Sequence, residues 1–532
     1  SSDIEITDNK LTIGGSGVNI NTSGSTTIKP YGDDFSSNFT TSNITFSSDM
    51  TGLTIGKDTN TSNVTVNSNQ TVAGPISIYG GDITVSANIS STLSGADVLL
   101  KASEDISLAI NKSISTNAGN LLLWSNSDGS TDNGSILLRD GSFVNTNGGH
   151  LWMGGGSGST TWNGETVGNG FAVSGTTIDP STGGDTKAGV YLENFEANTS
   201  GGDISIFSKT YDTFAFVTHQ DVILDSGSGK ISLEGIAEIG GVRGGVTGIH
   251  DDSAVFTLSS SNSSTSAIEI VFNSESGSGH GATLQGENNF IATNGGISFT
   301  SLGDTDSSDY GLRLGYSTSD KGILNFLSST GTITIDLGAN GYKSESNSNS
   351  SIHFGAKSGT DITSSSSNVV FNSDRFTIGS NPSTNALNFN TTGEILIAPS
   401  SSSFREELEL DDQWNLSSYA TSLTIGTSSN TSDITISDNI STSGPISIYG
   451  GDITLSANIS STLSGADILF KASENITVAA SKSISTNGGD VTLWADSDAS
   501  GNTSTAGGTI TLLDTSSITS NGGDITLGGG AD

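Results

Sequence analysis

The sequence predicts an all-β fold, a parallel β-helix in which short strands stack coil upon coil, and three observations predict it. The chain repeats itself: Gly74 to Asp97 (GPISIYGGDITVSANISSTLSGAD) returns as Gly444 to Asp467, with Val85 replaced by Leu455 as the one change. Inside each copy runs a finer repeat of turn, Gly, Gly, Asp, apolar, polar, apolar, seen at Gly80 to Val85, Gly201 to Ile206, Gly488 to Val491 and Gly522 to Ile525. Between these corners the apolar residues alternate with polar ones in runs of three to five, bounded by Gly, Asn, Ser and Asp, which is the period of strands and too short for any strand to bury its inner face alone. Such strands must stack, and three of them per coil of roughly 20–24 residues describes a β-solenoid.

Taken in order, the first copy begins at Ile4, and its counterparts in the second copy run Ile4/Val369, Leu11/Phe376, Ile28/Ile397 and Leu53/Leu423. The near-identical segment follows, and apolar pairs continue at Val98/Leu100, Ile106/Leu108, Leu121/Leu123, Ile136/Leu138 and Leu151/Met153. The match extends through Trp124/Trp494 to the glycine triplets that start at Gly154 and Gly528. One super-repeat therefore spans residues 1–365, and a second begins near 366 and runs to 532. Residues 157–365 are spaced more irregularly, with polar loops expected at Gly154 to Gly164 and at Tyr342 to Ser351. Phe404 to Trp414 (FREELELDDQW) is the one stretch read as a short helix. At about 22 residues per coil the chain makes about 24 coils in one continuous rod, on the order of 115 Å long at the spacing of stacked strands. Neither end carries the atypical sequence of a capping repeat, so the expectation is a piece of a longer tandem array.

Composition narrows the function. The chain of 532 residues carries 70 Gly, 6 Pro, no Cys and a net charge of −37. Collagen needs Gly at every third position with abundant Pro, and a disordered tail lacks the recurring Ile, Leu, Val and Phe clusters seen here. Absence of Cys removes disulfides and thiolate metal sites, and five scattered His do not make a metal centre. No cofactor is expected. Phosphate binding needs clustered Lys and Arg, and the 18 present are spread thinly, so nucleic acid is not an expected partner. No run approaches the ~18 apolar residues of a membrane span, and SSDIEITDNK has no signal-peptide character, so direct membrane insertion is not expected and any export signal lies elsewhere.

Candidate sites are few. Gly-Gly-Asp corners resemble calcium or phosphate loops, but Gly at a turn and Asp bonding to nearby backbone amides account for them without an ion. Asp304, Asp306 and Asp309 form the best isolated calcium candidate. Asn147, Asn294, Asn487 and Asn521, ahead of corners, are expected to stack in internal amide ladders. His250, Asp251 and Asp252, and separately Asp33 and Asp34, supply adjacent carboxylates, yet neighbours in a strand face opposite ways and no basic partner accompanies them, so an enzyme is not expected. Of the five tryptophans, Trp124, Trp162 and Trp494 are the candidates for stacking on carbohydrate; Trp124 and Trp494 follow inward leucines and so lie outward or at a corner. Trp152 and Trp414 are the remaining two.

The stretch Gly450 to Asp496 (GGDITLSANISSTLSGADILFKASENITVAASKSISTNGGDVTLWAD) resembles the repeats of filamentous-haemagglutinin-type adhesins, with their short G-(D/N)-(I/V)-x-L-x-A units. The resemblance implies a right-handed parallel β-helix in very large exported bacterial proteins that attach cells to surfaces or to other cells. The long super-repeat and the acidic, Cys-free composition are also similar to giant surface adhesins of Bacteroidota, including the mobile filaments of gliding bacteria. The function expected is a stalk segment of a giant extracellular adhesin at the bacterial cell surface. Its partners would be extracellular surfaces or polysaccharide, and outer-membrane secretion or anchoring machinery through regions outside this sequence. The alternatives are a polysaccharide-binding solenoid module within 157–365 and, behind it, a polysaccharide lyase or hydrolase.

Overall fold

The computed structural model describes residues 2–131, 133–175, 187–211, 214–238, 253–275, 279–303, 309–315, 320–345, 349–357, 359, 361–498 and 508–530, and the backbone of 246–248. The chain is 53% strand and about 1% helix, and its strands stack in parallel as a β-solenoid. It divides into two compact units, Ser1–Asn262 with Ala267–Gly279, and Ser263–Ser266 with His280–Asp532.

In the first unit one wall is a parallel ladder of ten strands: Ile4–Thr7, Ser25–Lys29, Gly52–Ile55, Ile76–Gly80, Val98–Ala102, Leu121–Trp124, Leu151–Trp162, Ile204–Thr210, Ile231–Ala237 and Ile268–Ser274. A second wall carries Phe39 beside Val64, then Ile83, Ile106, Ile136 and Val190. The third aligns Gln70, Ile89, Ile114 and Val144, with Ala197 above them. Three short strands per coil follow from the sequence pattern, since each apolar residue of an alternating run points inward onto its equivalent in the next coil. Ile76, Ile78, Ile83, Val85, Val98 and Leu100 have no exposed surface.

The second unit repeats the plan with nine strands in its equivalent wall, from Ile297–Leu302 to Ile525–Gly529. Register in the two copies is the same: Ile76 pairs with Val98 as Ile446 pairs with Ile468, and the irregularity between Ser90 and Ser94 recurs between Ser460 and Ser464. The inner stack changes chemistry in the irregular part. Phe290, Phe326, Phe354 and Phe389 lie in register, with successive ring centroids 5.5, 5.8 and 4.7 Å apart.

Coil length departs from the expected period outside the closest copies. Leu53 pairs with Ile76, Ile76 with Val98 and Val98 with Leu121, in steps that keep the period almost unchanged. Leu151, by contrast, reaches its partner only at Ile204, more than twice as far along the chain, and Ile231 reaches its partner only at Ile268. The ladders of ten and nine strands therefore hold fewer coils than a constant period predicts, because excursions leave at the corners while the inner ladder keeps its pairing.

Three local expectations need correction. Phe404 to Trp414 is extended: Leu408–Leu410 pairs with Ile434, Thr435 and Ile436, and Trp414–Leu416 is also a strand. Leu408 and Leu410 are buried while Glu407 and Glu409 are exposed, so the two-residue period prevails over helix propensity. The polar loop Gly154 to Gly164 is mostly strand within Leu151–Trp162, and Tyr342–Ser344 and Ser350–Gly355 are strands in the other. The amide ladders are not internal. Asn147, Asn487 and Asn521 are exposed; Asn147 donates to Asn117 (3.1 Å), and Asn487 and Asn521 to the carbonyls of Thr462 and Thr486. Left-handed backbone at Asn147 and Asn521 turns these side chains out of the core. The interior role falls to threonine: buried Thr116 and Thr486 donate to the carbonyls of Thr146 and Ser520 one coil on.

The corner aspartates tie coils together. Asp203, Asp452 and Asp490 each accept a hydrogen bond from a backbone N–H one coil further along, at Lys230, Asn475 and Asp524, over 2.8–2.9 Å. At Gly74 and Gly444 the backbones of neighbouring coils approach so closely that a Cβ would fall inside the carbonyl of Thr51 or Thr421.

Candidate functional site: an aromatic groove beside a hairpin

The long coil between Leu151 and Ile204 in the first unit holds a hairpin. Strand Leu151–Trp162 turns at Asn163 and Gly164, both with positive φ (47° and 87°), and returns antiparallel as Glu165–Gly170 with Trp162 opposite Glu165. Two left-handed residues match the twist of the flanking strands, and Asn-Gly is the pair that adopts this turn at least cost. Asn163 also donates to the Asp203 carboxylate (2.7 Å), while the Asp203 backbone N–H donates to His150 Nδ1 (2.8 Å). An accepting Nδ1 leaves the ring proton on Nε2 of a neutral imidazole.

The hairpin lies over outward-facing residues of the wall, and Leu122, Trp124, Trp152 and Val167 form a buried cluster there with Leu99, Trp162 and Phe207 packed against it. Trp124 is outward, as alternation requires, but only 5% exposed. Its Nε1 donates to the Gly156 carbonyl (2.8 Å), its edge meets Trp152 at 6.4 Å, and the Lys101 ammonium sits 4.1 Å from the ring centroid. Trp494 repeats this arrangement in the second copy, with Nε1 donating to Gly530 (2.7 Å) and Lys471 4.5 Å from the ring. Both indoles thus bond the glycine triplet one coil on, and at Trp124 that glycine strand leads into the hairpin. Trp152 and Trp414 are buried, Trp414 against Phe389 and Phe376.

Trp162 is different. It is half-buried near the hairpin tip, its edge against His150 (5.4 Å), and it borders a groove of about 330 Å³ with Thr160, Asn169, Phe171, Phe207 and Glu234. Phe171 and Phe207 meet edge to face at 6.2 Å. Burial, and after it the Glu269 carboxylate, raises the Glu234 carboxyl above the ordinary range. Aromatic rings with a few polar groups are the usual lining of a small-ligand pocket, and this volume falls at the lower end of the roughly 300–1,000 Å³ such pockets span.

His250, Asp251, Asp252, Asp304 and Asp306 lie outside the described residues. Asp309 is buried beside His280, with Oδ1 3.7 Å from Nδ1. Asp33 faces Lys57 at 3.4 Å, and Asp34 accepts from the backbone and hydroxyl of Thr61, bonds that hold its carboxyl below the usual range. Among the described residues, no three His, Asp or Glu side chains gather as metal ligands would. Phe171, Phe207 and Glu234 were missed at the sequence level because residues from three coils meet only after stacking; Asn163-Gly164, between Trp162 and Glu165, was the signal that could have located the hairpin.

No family model, curated protein or solved structure matches this chain.

Proposed function

We propose that this chain is a stalk segment of a giant extracellular bacterial adhesin, which holds an attachment surface away from the cell and, where the filament is carried along the cell, serves gliding. The observation that carries the reading is the return of register and anchoring in two copies of one super-repeat: the same coil pairing, the same irregularity and the same tryptophan-to-glycine bond. Repetition of this kind propagates length, since each coil needs only its neighbours. Ladder bonds run along the stacking direction and share a pulling load with the packed inner residues. A net charge of −37 opposes lateral association. Immunogold labelling of intact source cells with an antibody to this chain tests the reading: label along surface filaments supports it, and label confined to the cytoplasm overturns it.

A second reading, a polysaccharide-binding module, is favoured by the aromatic groove. Aromatic rings at Trp162 and Phe171 suit the apolar face of a sugar, and Glu234, Thr160 and Asn169 border the same groove with polar groups for its hydroxyls. On a glycan array, binding that vanishes with Trp162→Ala and survives Trp494→Ala supports this groove; binding indifferent to Trp162→Ala removes it.

A further inference from the structure

A second groove, in the second unit, contains no aromatic platform and follows a different logic. Five successive strands, Gly286–Ala292, Gly322–Ser328, Ser350–Gly355, Asn385–Asn390 and Trp414–Leu416, place Asn289, Asn325, His353, Asn388 and Asn415 in one register column. The neighbouring column, Phe290 to Phe389, is the inner aromatic stack, so by alternation these five residues face outward. The amides bond along the column at both ends: Asn325 donates to Asn289 (2.8 Å) and Asn415 to Asn388 (2.9 Å).

The run breaks at His353. This imidazole is 8% exposed, its Nε2 is 3.1 Å from the Ser351 hydroxyl, and its Nδ1 is buried without a hydrogen-bond partner. Burial first, then the Lys357 ammonium, lowers its pKa, so the ring is neutral and has one donor and one acceptor to satisfy. A buried polar atom left unpaired is costly. A groove of about 370 Å³ lies at this break, bordered by His353, Ser351, Ser383, Thr384 and Asn388. The two charges at its margin, Lys357 and Glu287, are paired with each other at 2.9 Å.

We propose that this groove binds a neutral oligosaccharide, whose hydroxyls continue the interrupted column across His353. Sugar hydroxyls donate and accept at once, which is what a wall of amides, hydroxyls and one neutral imidazole can satisfy. Anionic ligands are disfavoured because the marginal cation is already paired and the chain is strongly acidic. The inference does not rest on the stalk reading or on the aromatic groove, which belongs to the other unit.

The test uses the full chain with its five histidines labelled with ¹⁵N. Maltose, cellobiose, N,N′-diacetylchitobiose and a fucosylated trisaccharide serve as neutral probes, and a galacturonate trimer as the anionic one. The expected result is a saturable shift of the His353 ring resonances with at least one neutral probe and none with the galacturonate. Asn388→Ala should raise that Kd roughly three- to tenfold, the size of one lost hydrogen bond. Ser383→Ala, at an exposed loop position that cannot threaten folding, should raise it roughly twofold or more. Trp162→Ala should leave it unchanged. No saturable His353 shift with any neutral probe overturns the proposal. So does an equal response to the galacturonate, or loss of the shift with Trp162→Ala, which would move the binding to the other groove.

Discussion

Coils between Leu423 and Ala495 and coils between Leu151 and Ala237 share one inner ladder and differ in almost everything outside it. In the former, Leu423, Ile446, Ile468 and Val491 follow one another at a nearly constant spacing, and the outward residues are Thr, Ser, Tyr and Lys, with Leu469 and Trp494 as the large apolar ones. In the latter the single step from Leu151 to Ile204 is more than twice that spacing, a hairpin folds over the wall, and the outward positions carry Trp152, Phe207 and Glu234. The difference teaches that the ladder is indifferent to what leaves at a corner. Inward residues must match their equivalents above and below, whereas an excursion has only to return in register. Sites can therefore be added to such a stack without redesigning its core. The segment pair 35–43 and 404–412 makes the same point on a smaller scale: Ser37, Asn38 and Thr40 in one copy stand where the other has Glu406, Glu407 and Glu409, with Phe35 and Phe404 both buried.

Breaking the shared ladder should have the largest effect. Phe354→Ala, in the aromatic stack, should cost about 3–5 kcal/mol, and Ile448→Ala about 2–5 kcal/mol; both are fully buried. The outward Thr454→Ala should stay within about 0.5 kcal/mol. Urea titrations followed by circular dichroism measure all three, and a Thr454→Ala cost as large as that of Ile448→Ala would contradict the division into inner and outer faces.

Next come the glycines. Gly74→Ala drives a methyl into the Thr51 carbonyl, so it should destabilise by well over ~1 kcal/mol. Gly95, at φ 76° with open space around it, should lose only about 1–2 kcal/mol on the same change. The order of the two melting temperatures decides between close approach and backbone conformation as the governing constraint.

Removing a hairpin anchor is milder. Trp124→Phe keeps an aromatic ring but deletes the bond to Gly156 and trims the packed indole, and should cost about 1–2 kcal/mol. Hydrogen exchange should quicken at residues 155–170 and stay unchanged around Ile446–Ala472; uniform acceleration would mean that the indole holds the wall itself.

The smallest expected effect concerns pH. A carboxyl raised in the folded state favours folding when protonated, so its contribution is complete below the unfolded value of about 4.3. It is lost as pH rises through the elevated folded value. Glu234→Gln should therefore raise the melting temperature slightly at pH 7 and not at pH 4. A loss of stability at pH 7 would mean that the charged form is the one the fold prefers.

Much of the fold was legible in one dimension. Alternation at Ile76-Ser77-Ile78 and Ile83-Thr84-Val85, corner glycines and the super-repeat are local signals, and each states which side chains turn inward. Phe404 to Trp414 misled because charged residues with scattered leucines suit a helix as well as an outward strand face. Its partner Ile434–Ile436 decided the matter, and partnership is not written in the segment itself. The candidate site was legible only at Trp162.

By itself, then, the sequence determined the stacked β architecture, its period in the regular copies and the inner residues, because burial by alternation depends on neighbours in the chain. Only the tertiary structure decided which outward residues meet. Trp124 became an anchor and not a platform, Glu234 came beside Phe207, and His353 interrupted a column of asparagines. Each of these depends on register between coils and on excursions of unequal length, and register is set by partners far along the chain.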